Sequence, residues 1–367
     1  MRNKSTLVIA LLLIAAMLLA ACGAATPAAP AEAPAADTAA PAEAPTAAPA
    51  EAPTEAPAPA SEGPFKIAFV LPSPVTDLAW GQAMYDSLKS VQAEMGGESA
   101  MEIAYSDNMF QVADAAAAIR DYAAEGYDLV IAHGTQYGNS MFDVAKDFPE
   151  TSFAWGTATD TGESAGLKNV FAYEANAQEG GYVNGVIAAL LSKSNVLGVV
   201  GPVEAGDAKL YIDGFVNGAK ATKPDIAVNV SYTGSFGDTA LAAEAANTHI
   251  SAGADVLTGS AQQVVGAIGV AKDKGVYWLG TQSDQSSLAP EVVVATQVFD
   301  WVDVVKDMIA LHNSGTFGGK AYTLTLSNDG LKMVFNPGVT IPDDVKAAAE
   351  QAIQDVKDGK VTPLPAQ

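Results

Sequence analysis

Two successive series of short apolar strands alternating with amphipathic helices predict an α/β protein of two lobes, each built on a mainly parallel sheet. Three observations carry this. The strand candidates are near-continuous runs of Val, Ile, Leu and Ala, as at 129–132 and 196–200, which suits strands covered on both faces. The stretches between them place apolar residues at helical spacing. The two series repeat the same order over similar lengths.

Residues 66–71 read as the first strand, and 80–95 as a helix with Met84, Leu88, Val91 and Met95 on one face. A strand at 101–105, a helix at 112–124 and a strand at 128–132 follow, the last running into His133-Gly134-Thr135. Residues 152–155 and 170–173 read as further strands. The second series has strands at 196–200, 227–232, 255–257, 276–279 and 292–296, with helices at 208–219, 239–251 and 263–274 between them. Strands in both series end in Gly, Ser, Thr or Asp, as in Gly259-Ser260 and Thr281-Gln282-Ser283-Asp284. Turn chemistry explains any one of these loops. In open α/β sheets, however, ligands bind outside the carboxyl ends of the strands. Two such edges facing each other make one cleft, and hinge closure around a small molecule is the expected motion.

The chain starts with the parts of a secretory signal. Arg2 and Lys4 precede an apolar run at 7–19, and Leu19-Ala20-Ala21-Cys22 follows. The run falls short of the about 20 apolar residues that span a bilayer. Its end resembles the lipobox of bacterial lipoproteins, which implies cleavage after residue 21, a lipidated Cys22 and an extracytoplasmic, membrane-anchored protein. Residues 22–63 are almost wholly Ala, Pro, Glu and Thr, with six acids and no base. Frequent proline and scarce bulky apolar side chains make this a disordered tether. A fully extended polyproline-like chain of that length reaches at most about 120 Å.

Cys22 is the only cysteine among 367 residues, so a disulfide within the chain, thiolate catalysis and cysteine metal sites are excluded. His133, His249 and His312 lie far apart without ligand spacing, and no metal or other cofactor is expected. From residue 64 onward 17 bases face 36 acids, which disfavours nucleic acid as a partner. No dinucleotide fingerprint, phosphate loop or nucleophile-base order is present, so catalysis is not expected.

Several segments resemble the basic membrane protein family of substrate-binding lipoproteins, which includes bacterial purine nucleoside receptors. They are Asp77-Leu78-Ala79-Trp80-Gly81-Gln82, Gly134-Thr135-Gln136-Tyr137, Val144-Ala145-Lys146-Asp147-Phe148-Pro149, Glu179-Gly180-Gly181-Tyr182-Val183-Asn184-Gly185, Gly280-Thr281-Gln282-Ser283-Asp284-Gln285 and Phe299-Asp300-Trp301. The resemblance spans about 65–360. It implies a type I periplasmic-binding fold with Rossmann-like lobes, a hinge of three crossings and a central cleft. Lobe one is expected at 65–174 and 299–332 and lobe two at 178–296, with a C-terminal segment at 333–367 that includes a closing helix at 341–357. It also implies a monomeric receptor that delivers a purine nucleoside or base to an ABC permease and its ATPase.

By the same resemblance Trp80 and Phe236 are the two aromatic faces that sandwich a flat heterocycle, with polar groups reading its edges. The alternative for Trp80 is packing for its helix, and Asp77 reads equally as that helix's N-cap or as a ligand contact. Tyr137 and Asn139 are readers of a base edge or a surface turn. Asp284 is the expected acceptor for ribose hydroxyls, or else a solvated loop acid. Gly259 allows close approach of a ligand to the backbone, or is a turn glycine. Asp300 and Trp301 lie at a lobe crossing as pocket wall or hinge packing. Two departures loosen the ligand: no lysine stands near Phe299-Asp300, and Asn139 and Gln282 replace acids. A free base, a flavin-like heterocycle or a sugar therefore remains an alternative ligand, and a sensing lipoprotein an alternative role.

Overall fold

The computed structural model describes residues 63–364. The expected signal, Cys22 and tether lie outside the described residues. The first sheet is built from β1 (Phe65–Val70), β2 (Met101–Ser106), β3 (Leu129–Ala132), β4 (Ser152–Gly156) and β5 (Val170–Ala175), with α1 (Trp80–Met95), α2 (Val112–Ala124) and α3 (Gly138–Ala145) in the connections. The chain then crosses into α4 (Gln178–Leu191), β6 (Val196–Gly201), α5 (Gly206–Thr222), β7 (Ala227–Tyr232), α6 (Thr239–Ser251), β8 (Val256–Gly259), α7 (Val264–Lys274), β9 (Tyr277–Gln282) and β10 (Val293–Phe299). It closes with α8 (Val302–Asn313), β11 (Ala321–Leu324), β12 (Leu331–Phe335) and α9 (Asp343–Lys357).

The first sheet runs β11-β5-β4-β3-β1-β2, with every pairing parallel. The second runs β12-β10-β9-β8-β6-β7 and is parallel except for β12, which is antiparallel to β10. The central strands are buried along their whole length, as the unbroken apolar runs require. The two-lobed α/β architecture is thus as the sequence predicts. Because β12 pairs with β10, the chain is back in the second sheet at Leu331, just before residue 332 where the sequence reading ended lobe one. α8 packs on α1 and returns the chain to the first lobe, whereas α9 packs on α4 in the second. The chain therefore passes between the sheets three times, after β5, after β10 and after β11.

The helix that follows the first crossing is held by glycines. α4 and α5 approach so closely that a Cβ on Gly181 would lie 2.3 Å from the Tyr211 carbonyl oxygen, and one on Gly185 2.2 Å from that of Phe215. From the other side, a Cβ on Gly214 would meet the Gln178 carbonyl oxygen at 2.3 Å, and one on Gly218 that of Tyr182 at 2.1 Å. Spacing of four on both helices puts these glycines on facing stripes, so the two backbones pack directly, running in the same direction.

Candidate ligand cleft between the two sheets

The carboxyl ends of the two sheets meet, and direct hydrogen bonds join them. Gln262 Nε2 donates to Ser73 Oγ at 2.9 Å, Ser283 Oγ to the Ala79 carbonyl at 2.8 Å, and Gln285 Nε2 to the Leu78 carbonyl at 3.3 Å. The loop after β1 is thereby read by the loops after β8 and β9. Backbone strain concentrates on the same edges. Leu78 (φ 54°), Thr157 (φ 59°), Ala261 (φ 70°) and Gln282 (φ 77°) all adopt the left-handed region without being glycine. Such residues cost of order 1–3 kcal/mol each and cluster where a loop is held for a purpose. Two side-chain acceptors here are buried without a hydrogen-bond partner among the described residues, Gln262 Oε1 and Gln282 Oε1. Gln282 is only 5% exposed.

Asp77 organises the loop after β1. Its Oδ1 accepts from the Ala79 and Gln82 amides, and its Oδ2 from the Gly81 amide and the Ser73 hydroxyl, at 2.7–3.0 Å. Four donors saturate the carboxylate, which fits the capping reading and leaves no lone pair aimed at a ligand.

Trp80 opens α1 and is 7% exposed. Its indole stacks on His133 at 4.1 Å and 8°, and meets Trp301 and Phe299 edge-on at 5.7 and 6.2 Å. Its Nε1 donates to the His133 carbonyl at 3.3 Å. His133 returns the contact, with Nε2 3.0 Å from the Trp80 carbonyl and Nδ1 2.6 Å from the Tyr173 hydroxyl. A carbonyl only accepts, so Nε2 carries the proton and Nδ1 accepts from Tyr173.

Burial pushes the His133 pKa down to about 3, so the ring is neutral. The unfolded chain takes up a proton below about pH 6.5 and the native state does not. The His133 contribution is therefore fully present above pH 6.5 and is lost as pH falls toward 3, by about 2 kcal/mol at pH 5. His249 and His312 are also pushed down by burial and act with the same sign. The His133 C2 proton is expected to keep its neutral chemical shift from pH 8 to 4 in NMR spectra. Titration near 6.5 would contradict this packing.

The remaining sequence candidates are dispersed. Phe236 is 43% exposed between β7 and α6, just before Asp238, whose Oδ1 accepts from the Ala240 and Leu241 amides and caps α6. Asn139 is exposed near the start of α3. Tyr137 is fully buried in the core on one face of the first sheet, and its hydroxyl donates to the Met109 carbonyl at 2.6 Å. It is neither a surface turn nor free to read a base edge. Gly259 ends β8, where a Cβ would lie 2.5 Å from the Val200 carbonyl oxygen of β6. Its smallness serves strand packing. Asp284 is exposed, and its Oδ1 accepts from the Ser286 amide at 2.9 Å in a local turn.

Asp300 corrects the expected pocket wall. Its Oδ1 accepts from the Val302 amide at 3.0 Å to start α8, and its Oδ2 is paired with Lys332. The lysine missing from this neighbourhood in sequence arrives from β12. Both residues line an outer groove of about 580 Å³ bounded by Ser90, Glu94 and Lys306. Ser90 is ten residues along α1 from Trp80, about 15 Å at 1.5 Å per residue, so this groove is not the cleft. Trp301, by contrast, is fully buried hinge packing, and its Nε1 has no partner.

Sequence reasoning missed Ser73, Gln262, Ser283 and Gln285 as the residues that join the lobes. Glutamine and serine carry little sequence signal, and left-handed backbone at Ala261 and Gln282 none. Among the described residues no group of three or more His, Cys, Asp or Glu is placed to hold a metal ion. No described helix is long and apolar enough to cross a membrane.

The family described as PnrA-like ABC transporter substrate-binding proteins matches residues 65–362. A purine-binding protein of Brucella abortus is 30% identical over 304 residues, covering 83% of this chain and 84% of its own. The nucleoside-binding protein BmpA of a Lactococcus lactis ABC transporter is 27% identical, covering 78% of this chain and 85% of its own. The transcriptional activator protein med of Bacillus subtilis is 29% identical, covering 74% and 83%. Among solved structures, a solute-binding protein of an ABC transporter system from Conexibacter woesei superposes with a TM-score of 0.69 at 23% identity, covering 82% of this chain and 98% of its own, which speaks for the fold. The chain belongs to the PnrA-like substrate-binding proteins of ABC transporters, the Bmp family.

Proposed function

We propose that this protein is the lipid-anchored receptor of an importer and that it closes its two lobes on a purine nucleoside or purine base. The observation that carries the ligand class is the pair of buried acceptors without a partner among the described residues, Gln262 Oε1 beside the strained Ala261 and Gln282 Oε1 on strained backbone of its own, where the sheets meet. A buried acceptor without a partner is costly. A ligand with N–H or O–H donors offsets that cost on binding, and purines and ribose carry both. The names of the relatives in Brucella and Lactococcus, purine-binding and nucleoside-binding, support the same class. Phe236 is the exposed aromatic that would cover the ring, and Trp80, buried at the start of α1, would support the opposite face. Cys22 would carry the lipid, and a permease with its ATPase would receive the ligand.

A second reading has its own support. The relative in Bacillus subtilis is named as a transcriptional activator, so sensing without transport is an alternative role for the same closure.

The test is ligand-dependent thermal stability of the purified protein with adenosine, inosine, adenine, riboflavin and ribose. Ligand at one hundred times its Kd is expected to stabilise the native state by about 2.7 kcal/mol. A response to ribose or riboflavin with none to the purines would sink the purine reading.

A further inference from the structure

The hinge-side wall of the cleft holds a second, separate set of unspent acceptors. Asp207 is the second residue of α5, at the carboxyl end of β6 in the second lobe. Its Oδ2 is shut off from solvent and has no hydrogen-bond partner among the described residues, although the residue as a whole is only half-buried. Gln178 Oε1, at the start of α4, is buried and unpartnered as well. Glu174 stands near the carboxyl end of β5 in the first lobe, half-buried, one register position beyond the Gly156–Tyr173 pair of β4 and β5.

The close helix pairing sets the start of α5 beside the end of β5, with Gln178 about one turn further along. Gln178 packs on Gly214 and Gly181 on Tyr211, so one turn earlier the start of α5 faces the chain at about 174–178. Burial and the Glu174 carboxylate raise the Asp207 pKa to about 6, and burial raises that of Glu174.

Among the described residues no cation answers this pair. Lys209, on α5, is tied to Asp213 at 2.6 Å. Glu179, on α4, turns its carboxylate to the Leu326 amide and Asn176. Glu204, on the loop before α5, is exposed and adds negative charge. An acid at the start of a helix complements the helix dipole, but that role does not require its outer oxygen to be buried and unpaired beside another acid.

We propose that Asp207, with Glu174 and Gln178 beside it, forms an acceptor-rich subsite on the hinge wall of the cleft that holds a hydrogen-bond-donating group of the ligand, an amine or sugar hydroxyls. This rests on the purine reading for the choice of probes. It assigns the donor-reading role to a residue whose position in sequence, inside a helix's first turn, gives no hint of it. The subsite joins the lobes through the ligand, since Asp207 and Glu174 belong to different sheets.

The test compares wild type, Asp207→Asn and Glu174→Gln by calorimetry with adenosine, inosine and adenine at pH 7.5 and 5.0. Adenine lacks the sugar and inosine the exocyclic amine, so the probe whose affinity ignores Asp207→Asn identifies the group that is read. Adenosine is expected to bind Asp207→Asn at least tenfold more weakly at pH 7.5. For wild type the same loss is expected on going to pH 5.0, where the carboxylate is protonated. Glu174→Gln removes the like charge, so the pH at which adenosine binding is lost is expected to fall below that of wild type, whatever the variant's affinity at pH 7.5, a result a merely structural role would not give. If Asp207→Asn does not fold, Asp207→Ser takes its place.

Affinities for all three probes within threefold of wild type in either Asp207 variant would overturn the subsite. If wild type binds none of the purines, the functional reading falls instead, and ribose and putrescine decide the subsite. A response to either that Asp207→Asn removes sustains it, and no response, or one the variant leaves intact, overturns it.

Discussion

Gly185→Ala is expected to lower the stability of the protein, although alanine is the better helix former by about 1 kcal/mol. The added methyl would stand 2.2 Å from the Phe215 carbonyl oxygen and 2.7 Å from the Ala219 amide nitrogen, both backbone atoms of α5. Neither can rotate away, so the helices must separate by about 1 Å. Overpacking of this kind costs about 1–3 kcal/mol and occasionally more. The separation would also strip contacts from the neighbouring Gly181, Gly214 and Gly218 positions, which depend on the same approach. Sterics therefore outweigh propensity. The double variant Gly181→Ala/Gly185→Ala should lose still more.

Gly269→Ala is the matched control. Gly269 is an exposed glycine of α7 where a Cβ would meet nothing within 4 Å, so the same substitution should stabilise by up to about 1 kcal/mol. Urea midpoints of the two single variants should thus move in opposite directions. Equal shifts would mean that α4 and α5 are not packed backbone to backbone. α4 follows the first crossing directly, so loosening it should also weaken ligand-dependent closure.

The sheets were the legible part of the fold, because burial on both faces writes itself as unbroken apolar runs at 129–132 and 196–200. α1, α2, β7 and α6 fall on the residues their periodicity predicts. The sequence reading missed α3 and α8. α3 opens on Gly138-Asn139-Ser140, which reads as a turn, and no side chain caps it. α8 hides behind a lobe crossing, although Val304, Val305, Met308 and Ile309 give it a buried face. β12 is five residues with alternating exposure at the edge of a sheet, too short to declare which lobe it joins.

The cleft was less legible, and for a physical reason. Sequence shows which residues can do chemistry but not which have already been occupied by protein. Asp77, Tyr137, Asp284 and Asp300 all have the right functional groups, and each is engaged by a cap, a core carbonyl, a local turn or Lys332. The unengaged groups, Gln282 and Asp207, look ordinary in sequence. What marks them is a buried atom without a partner, which only packing over long sequence distances creates.

Trp80→Ala is expected to be the most costly substitution near the cleft, and it separates the two readings of this residue. With the indole only 7% exposed and its ring stacked on His133 at 4.1 Å, truncation removes a core side chain. Trp→Ala in a core costs about 3–5 kcal/mol, and the remaining void sets where in that range it falls. The void opens directly over His133, which would lose its stacking partner while keeping its bond to the backbone carbonyl of residue 80. Water entering there would reduce the desolvation that holds the imidazole neutral, so its pKa should climb from about 3 toward the usual range. Acid sensitivity and the His133 NMR titration should therefore change together in Trp80→Ala. A residue serving only to stack a ligand would behave otherwise, with full stability, an unchanged His133 and lost binding. Trp80→Phe completes the comparison by keeping an aromatic face over His133 while deleting the indole N–H that reaches the His133 carbonyl at 3.3 Å. It should recover most of the stability and keep His133 neutral. Whether it also recovers purine binding then reports on the loop that Trp80 supports, Ser73 to Ala79, to which Gln262, Ser283 and Gln285 attach the second lobe.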